Sequence, residues 1–360
     1  MHQIVAVLGY DNVIKMTDLS MTKVQKTRAS GRVTLAQVAA LAGVATMTAS
    51  RAISHPDMVS AALRERVERA VAELGYVPNA AARALASAHS NVIVVLVPSL
   101  SNLVFTAVLA GIQDALDAYD YQILIGNTRY SDAEEEKLLR TYLQSHPDGI
   151  LLSGLTHSPK VQHMLDTSQV PVVSMMDLAT EPNQLSVGFS QLQAGYTMTR
   201  YLIDKGHRRI GFMGAQLDER TLKRADGYRK AMREAGLYDE ALETMVADPS
   251  TLALGAELLG RMLAAEPALD AIFCCNDDLA HGAIYQCQRR GIAVPGQLAI
   301  CGFNDLPASA WMNPSLTTIA TPRYKVGFEA ASLLRAMIKG ERPAKNRIDL
   351  GFTLMARESA

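Results

Sequence analysis

From Val92 onward the chain alternates short apolar runs with amphipathic stretches of helical period, and this alternation narrows the possible folds more than any other feature. VIVVLV, YQILIG, GILLS and PVVSMM come first, separated by helical segments near Val104 to Tyr119 and from Asp132; RIGFM, AIFCC and LAICG follow beyond Phe189. Strands of that kind, each followed by a helix, build parallel sheets flanked by helices. Two blocks of similar size predict an α/β core of two lobes. Open sheets of this class bind ligands in the loops beyond the carboxyl ends of their strands. The residues there are Ser99 and Asn102, Asp177, Phe189 and Ser190, Asn276 and Asp277, and Asn304 with Asp305. Taken singly, each polar one is as well explained as a helix cap; several converging on one cleft is harder to dismiss.

The text before Val92 has a different grammar. Thr34-Leu-Ala-Gln37 is a capping-box pattern opening a helix with Leu35, Val38, Ala39 and Leu41 on one face, and Gly43 suits the positive φ of the turn that ends it. A second helix over Ala45 to Ile53 carries Thr46, Met47, Thr48, Ser50 and Arg51. A third starts near Ser60, repeats Leu63, Val67, Ala70, Val71 and Leu74, and stops at Gly75. Helix, glycine turn, helix is the spacing of a helix-turn-helix, and the three helices together close a small domain. Tyr76-Val77-Pro78-Asn79 stops the third helix. The alanine-rich segment from Ala80 to Ala86 is too short to be helical alone and is expected to form only against a partner.

A formal net charge of -1 across 360 residues excludes wholesale coating of nucleic acid, so DNA contact has to be local. Between Gly31 and Ser90 six arginines (32, 51, 64, 66, 69, 83) face four acids (57, 65, 68, 73), a modest excess. Arg64, Arg66 and Arg69 read equally well as a solvated helix face. Cys274, Cys275, Cys287 and Cys301 lie in apolar stretches without zinc spacing, and no metal or cofactor site is expected. No phosphate-binding loop, dinucleotide fingerprint, metalloprotease motif or nucleophile elbow occurs, and His207, just before a strand, reads as structural; the chain is not expected to be an enzyme. No apolar run is long enough for a membrane span, and the first residues lack a basic region ahead of their apolar run. A cytoplasmic protein is expected, with residues 1–31 either an arm or a product of start-site choice.

VTLAQVAALAGVATMTASRAIS and VSAALRERVERAVAELGYVPNAAARALAS resemble the headpiece and hinge of the lactose/galactose-repressor (LacI/GalR) family without a gap from Val33 to Ser87. The resemblance continues to the C-terminal part and, through LVPSLSNLVF, LDERTLK, CNDDLA, TTIATPR and IDLGFTL, is strongest toward gluconate-operon repressors. It implies a headpiece at 32–78, a hinge and linker at 79–91, and a two-lobed core resembling periplasmic sugar-binding proteins. Lobe one is expected at about 92–189 plus 321–341, lobe two at about 190–320 plus 342–360. The resemblance implies that Thr34, Thr46, Met47, Thr48, Ser50 and Arg51 serve the DNA interface, with Asn79, Ala82, Arg83 and the wedge Leu85 in the hinge. It marks Arg224, Asn276, Asp277 and Asn304 as pocket residues with Phe105 and Phe189 as walls, beside Ser99, Asn102, Asp177 and Ser190. The ligand's carboxylate is expected near Arg323, where many members have an aromatic, near Arg224, or near both; the alternative for Arg323 is a helix cap or a pair with an acid such as Glu329. The implied partners are palindromic operator DNA, a second copy of the chain and a small sugar acid acting as inducer or corepressor. No leucine heptad follows Phe352, which favours a dimer over a tetramer. A stand-alone solute-binding protein and a sugar-modifying enzyme are the competing classes; the headpiece argues against the first, the missing catalytic constellation against the second.

Overall fold

The computed structural model describes residues 33–77, 89–341 and 343–360. The chain divides into two units, 1–79 and 80–360. In the first, α1 (Leu35–Ala42), α2 (Thr46–Ser54) and α3 (Ala61–Leu74) follow one another closely. Both halves of the capping box form: the Thr34 amide donates to Gln37 Oε1 at 2.8 Å, and the Gln37 amide donates to Thr34 Oγ1 at 3.4 Å. Gly43 and Gly75 end α1 and α3 at φ 63° and 61°, the left-handed region glycine enters at least cost. Val38, Ala42, Ala52, Val67 and Ala70 close the core, with Val33, Val44, Leu63 and Tyr76 around them. The hinge positions Asn79, Ala82, Arg83 and Leu85 lie outside the described residues.

The second unit has two parallel sheets. Strands β1 (Val92–Val97), β2 (Gln122–Asn127), β3 (Gly149–Ser153), β4 (Val172–Met175) and β5 (Ser186–Gly188) form the first. Its order is β11-β5-β4-β3-β1-β2, with β11 (Arg347–Asp349) added at the edge through Arg347↔Ser186. This corrects the expected lobe boundary: residues 347–349 complete the first lobe's sheet. The chain returns to the second lobe afterwards, where β12 (Thr353–Met355) pairs antiparallel with β10 (Thr318–Ala320) and Ser359 O accepts from the Ile300 amide. The second sheet runs β7-β6-β8-β9, from β6 (Ile210–Ala215), β7 (Glu243–Val246), β8 (Ala271–Cys274) and β9 (Ala299–Cys301). Crossovers at the ends of β5, β10 and β11 join the lobes.

The helices that follow these strands pack in pairs at backbone distance. Helix α4 (Leu103–Leu116) meets α11 (Arg323–Ile338), α7 (Gln191–Asp204) meets α8 (Glu219–Glu234), and α9 (Leu252–Ala265) meets α10 (Asp277–Arg290). Each pair carries a glycine from both partners at the crossing. A Cβ at Gly327 would lie 2.0 Å from Val108 O, at Gly227 2.2 Å from Leu192 O, and at Gly282 1.9 Å from Leu252 O. The reciprocal glycines Gly111, Gly195 and Gly255 are equally closed, at 2.1, 2.4 and 2.2 Å from backbone oxygens. Two further helices, α5 (Asp132–Leu143) and α6 (Pro159–Ser168), cover the other face of the first sheet over Val94, Leu96, Ile150 and Leu152. No helix among the described residues is long and apolar enough to cross a membrane.

Candidate DNA interface and effector cleft

Helix α2 separates its two faces cleanly. Ala49 and Ala52 are buried against α1 and α3, while Thr46, Met47 and Arg51 are exposed and Thr48 and Ser50 half-buried. Met47, 75% exposed, has no packing role, and the Arg51 side chain has no partner among the described residues. Exposure of an unpartnered arginine and an apolar side chain along one helix suits an edge-reading surface: arginine bridges guanine O6 and N7, and methionine meets a thymine methyl. The first amides of α2 lack a side-chain cap and stay open to a phosphate. Thr34, also expected at the interface, is exposed but engaged in the capping box. Arg66 donates instead to the carbonyls of Ala42 and Gly43, closing the end of α1, while Arg64 and Arg69 pair with Glu68 and Glu65 on α3. The three arginines are accounted for within the domain, leaving Arg51 as its exposed, uncommitted cation among the described residues.

The second unit holds a cleft of about 550 Å³ lined from both lobes, including Ser99, Asn102, Asn127, Arg129 and Tyr130 from one and Gln216, Ser250 and Asp278 from the other. Ser99 and Asn102 line it while also ordering the start of α4: the Asn102 amide donates to Ser99 Oγ, and Asn102 Oδ1 accepts from the Val104 amide. Ser190 and Asn276 cap α7 and α10, and Asn276 further bonds Ser250. Phe189 is fully buried between Phe303 and Phe352.

Two expected contacts turn inward. Asp277 is fully buried; its Oδ1 accepts from Thr318 Oγ1 at 2.6 Å, and its Oδ2 from the Leu306 amide at 2.6 Å and Ser309 Oγ at 2.8 Å. Through these bonds Asp277 ties the 306–309 segment and Thr318 to the start of α10. Asp177 is likewise engaged, accepting from Lys223 Nζ at 2.6 Å and from the Leu178 amide.

Charged residues that sequence reasoning did not single out precede Arg224 on α8. Arg220 pairs with Asp218, reaches Ser153 of the first lobe and lies over the ring of Phe105, which is buried. Burial opposes ionisation of Asp218, but the Arg220 charge and the Thr221 amide outweigh it and hold the carboxyl below its usual range. Glu219 accepts from Thr156 Oγ1, so three consecutive-turn side chains of α8 (Glu219, Arg220, Lys223) grip the first lobe. KRADGY marked Arg224; the charged run just before it was the available signal for the rest.

Arg224 itself stacks on Phe303 at 3.8 Å and donates to Gln191 Oε1 and Cys275 O, both neutral. Burial pushes its pKa down to about 10, with Cys275 and Asp218 acting against the shift, so it remains a cation at neutral pH. Arg323 opens α11 and donates through Nη2 to Asp305 O, while its Nη1 is buried with no partner; the expected alternative, a pair with Glu329, is not formed among the described residues. The Asp305 carboxylate is taken by Arg357 at 2.7 Å. Asn304 is 5% exposed, with its Oδ1 also lacking a partner and its backbone at φ 114°. A non-glycine residue in that region is strained, and such strain collects at ligand sites.

Residues 34–79 match the family described as bacterial regulatory proteins, lacI family, and residues 90–357 match the periplasmic binding proteins and sugar binding domain of the LacI family. The chain is 48% identical over 342 residues to the HTH-type transcriptional regulator GntR of Pseudomonas aeruginosa, covering 95% of this chain and all of that one. To the regulator of the same name from Escherichia coli K12 it is 41% identical, covering 90% of this chain and 97% of the relative. The crystal structure of the transcription regulator GntR from Chromobacterium violaceum is similar at 53% identity and TM-score 0.73, covering 74% of this chain and 98% of that one. These relatives are regulators of transcription and not enzymes. With the helix-turn-helix and the two-lobed core both accounted for, the chain belongs to the LacI family of DNA-binding transcription regulators.

Proposed function

We propose that this regulator is a cytoplasmic repressor that binds a palindromic operator as a homodimer and senses a small sugar acid of the gluconate type in the cleft between its lobes. The observation that carries the effector reading is the pair of cations Arg224, which is buried, and Arg323, half-buried with a buried and unpartnered Nη1, each hydrogen-bonded only to neutral oxygens. A buried guanidinium without a carboxylate partner is an unfavourable arrangement that an anionic ligand relieves, and the planar fork suits a carboxylate best. Asn304 Oδ1, together with Ser99, Asn102 and Asn127, supplies the mixed donors and acceptors that a polyol chain needs. Effector binding releases the operator in this reading; the opposite sign, a corepressor, is distinguished by whether ligand weakens or strengthens DNA binding.

Calorimetric titration of the full chain with gluconate and with glucose tests this reading. Gluconate is expected to bind at least tenfold more tightly than glucose, and Arg323→Gln to lose at least tenfold in gluconate affinity, about 1.4 kcal/mol. Equal affinity for glucose overturns the ligand class. An unchanged affinity in Arg323→Gln overturns the role of that residue.

A further inference from the structure

The chain enters the core from the headpiece through His89, Ser90 and Asn91, and this short stretch is held by one side chain. Asp148 stands just before β3, 7% exposed, with its own amide donating to Val92 O on the neighbouring strand. Its Oδ1 accepts from the Ser90 amide at 2.9 Å and from Ser90 Oγ at 3.1 Å, its Oδ2 accepts from the Asn91 amide at 3.0 Å, and His89 Nδ1 lies 3.8 Å away. Ser90 Oγ in turn accepts from the Val92 amide, and Asn91, at φ 54°, accepts through its carbonyl from the Gln122 amide of β2. Two successive backbone amides closing on one carboxylate form a small anion nest, a geometry that fixes the direction of the chain as well as its position. We infer that Asp148 is a positioning residue for operator recognition: it clamps the end of the linker to the first lobe, so that movements of that lobe are passed to the headpiece and not absorbed by slack at residues 89–91.

The argument is one of geometry and entropy. Specific binding by a symmetric dimer requires two headpieces at a fixed separation, whereas non-specific binding to phosphates needs no such registration. Loosening the attachment point therefore lowers the effective concentration of the second headpiece at its half-site without touching any residue that contacts DNA. The inference rests on the paired-headpiece reading. It does not depend on the identity of the effector.

The full chain, Asp148→Asn and Ser90→Ala are compared by fluorescence anisotropy on a palindromic duplex selected by the wild type from a random pool, and on a scrambled duplex of equal length. Asp148→Asn replaces one acceptor oxygen with a donor facing a donor; Ser90→Ala removes the hydroxyl and leaves the carboxylate and both amides. The specific affinity is expected to fall about tenfold in Asp148→Asn and about threefold in Ser90→Ala, with affinity for the scrambled duplex unchanged in both. Specific affinity within twofold of wild type in both variants overturns the inference, as does an equal fall on both duplexes, which marks a loss of folded protein. The stoichiometry of the wild-type complex, two chains per duplex, separately tests the paired-headpiece reading.

Discussion

Replacing Asp277 separates an anchor from a ligand contact. In Asp277→Ala three donors lose their acceptor together: Thr318 Oγ1 at 2.6 Å, Ser309 Oγ at 2.8 Å and the Leu306 amide at 2.6 Å. The Ser309 hydroxyl has an alternative, since it already lies 3.0 Å from His281 Nε2, but the Leu306 amide has none and is buried. Hydrogen bonds to a charged acceptor contribute about 1.5–3 kcal/mol each, and partial re-pairing of that hydroxyl leaves an expected loss of about 4 kcal/mol. For a unit of this size that is a fall in Tm of about 10 °C. Asp277→Asn keeps one carbonyl oxygen, which turns toward Leu306 and Ser309 while Thr318 rotates to accept from the new amide. Its loss is expected to be about 1–2 kcal/mol. Differential scanning calorimetry of the three proteins reads the series directly. If Asp277→Ala melts within about 2 °C of the wild type yet no longer binds effector, the carboxylate is a ligand contact and the assignment made above is wrong.

Arg51→Ala is expected to lose about 1–3 kcal/mol of discrimination between the selected operator and scrambled DNA, by anisotropy, with effector binding in the core unchanged. Gly282→Ala, whose Cβ would stand 1.9 Å from Leu252 O, is expected to destabilise by about 3 kcal/mol or more in thermal melts. Gly260→Ala meets only the movable end of Arg290 and is expected to be neutral or stabilising by up to about 1 kcal/mol. Asp218 and Glu219 both have carboxyls held below their usual values, so the stability they add is present above their unfolded values near pH 4 and is lost as the pH falls further. Acid unfolding followed by circular dichroism is expected to lose part of its steepness in Asp218→Asn.

What could be read in the sequence was set by the range of the interactions. The capping box joins Thr34 to Gln37, three residues away, and both partners appear in one short motif. The parallel sheets were legible because buried strands are continuous apolar runs. The anchoring bonds of Asp277 were not legible because its partners Leu306, Ser309 and Thr318 lie 29 to 41 positions away and carry no motif pointing back to it. Arg66 was ambiguous for the same reason: its acceptors on Ala42 and Gly43 are backbone carbonyls, which every residue has. Residues 347–349 were placed in the wrong lobe because a three-residue strand with only one half-buried position leaves almost no hydrophobic signal. Arg323 stood out only against the family resemblance, in which many members have an aromatic there, and the structure leaves its Nη1 without a partner.

The reciprocal glycines have a mechanical consequence. Where two helices touch through carbonyl oxygens and Cα atoms, there are no rotamers to change and no methyl groups to slide, so the pair transmits displacement like a single stiff beam. Three of the helices joined in this way line the cleft with their starts: α4 through its cap Asn102, α9 through Leu252 and its partner α10 through Asp278. A ligand that pulls on one helix start moves two helices, and with α4 and α11 it moves the layer lying against the sheet whose inner strand β1 receives the linker at its start. The leverage resides in what those six positions lack, a side chain, and enlarging any of them would add compliance to the beam as well as strain.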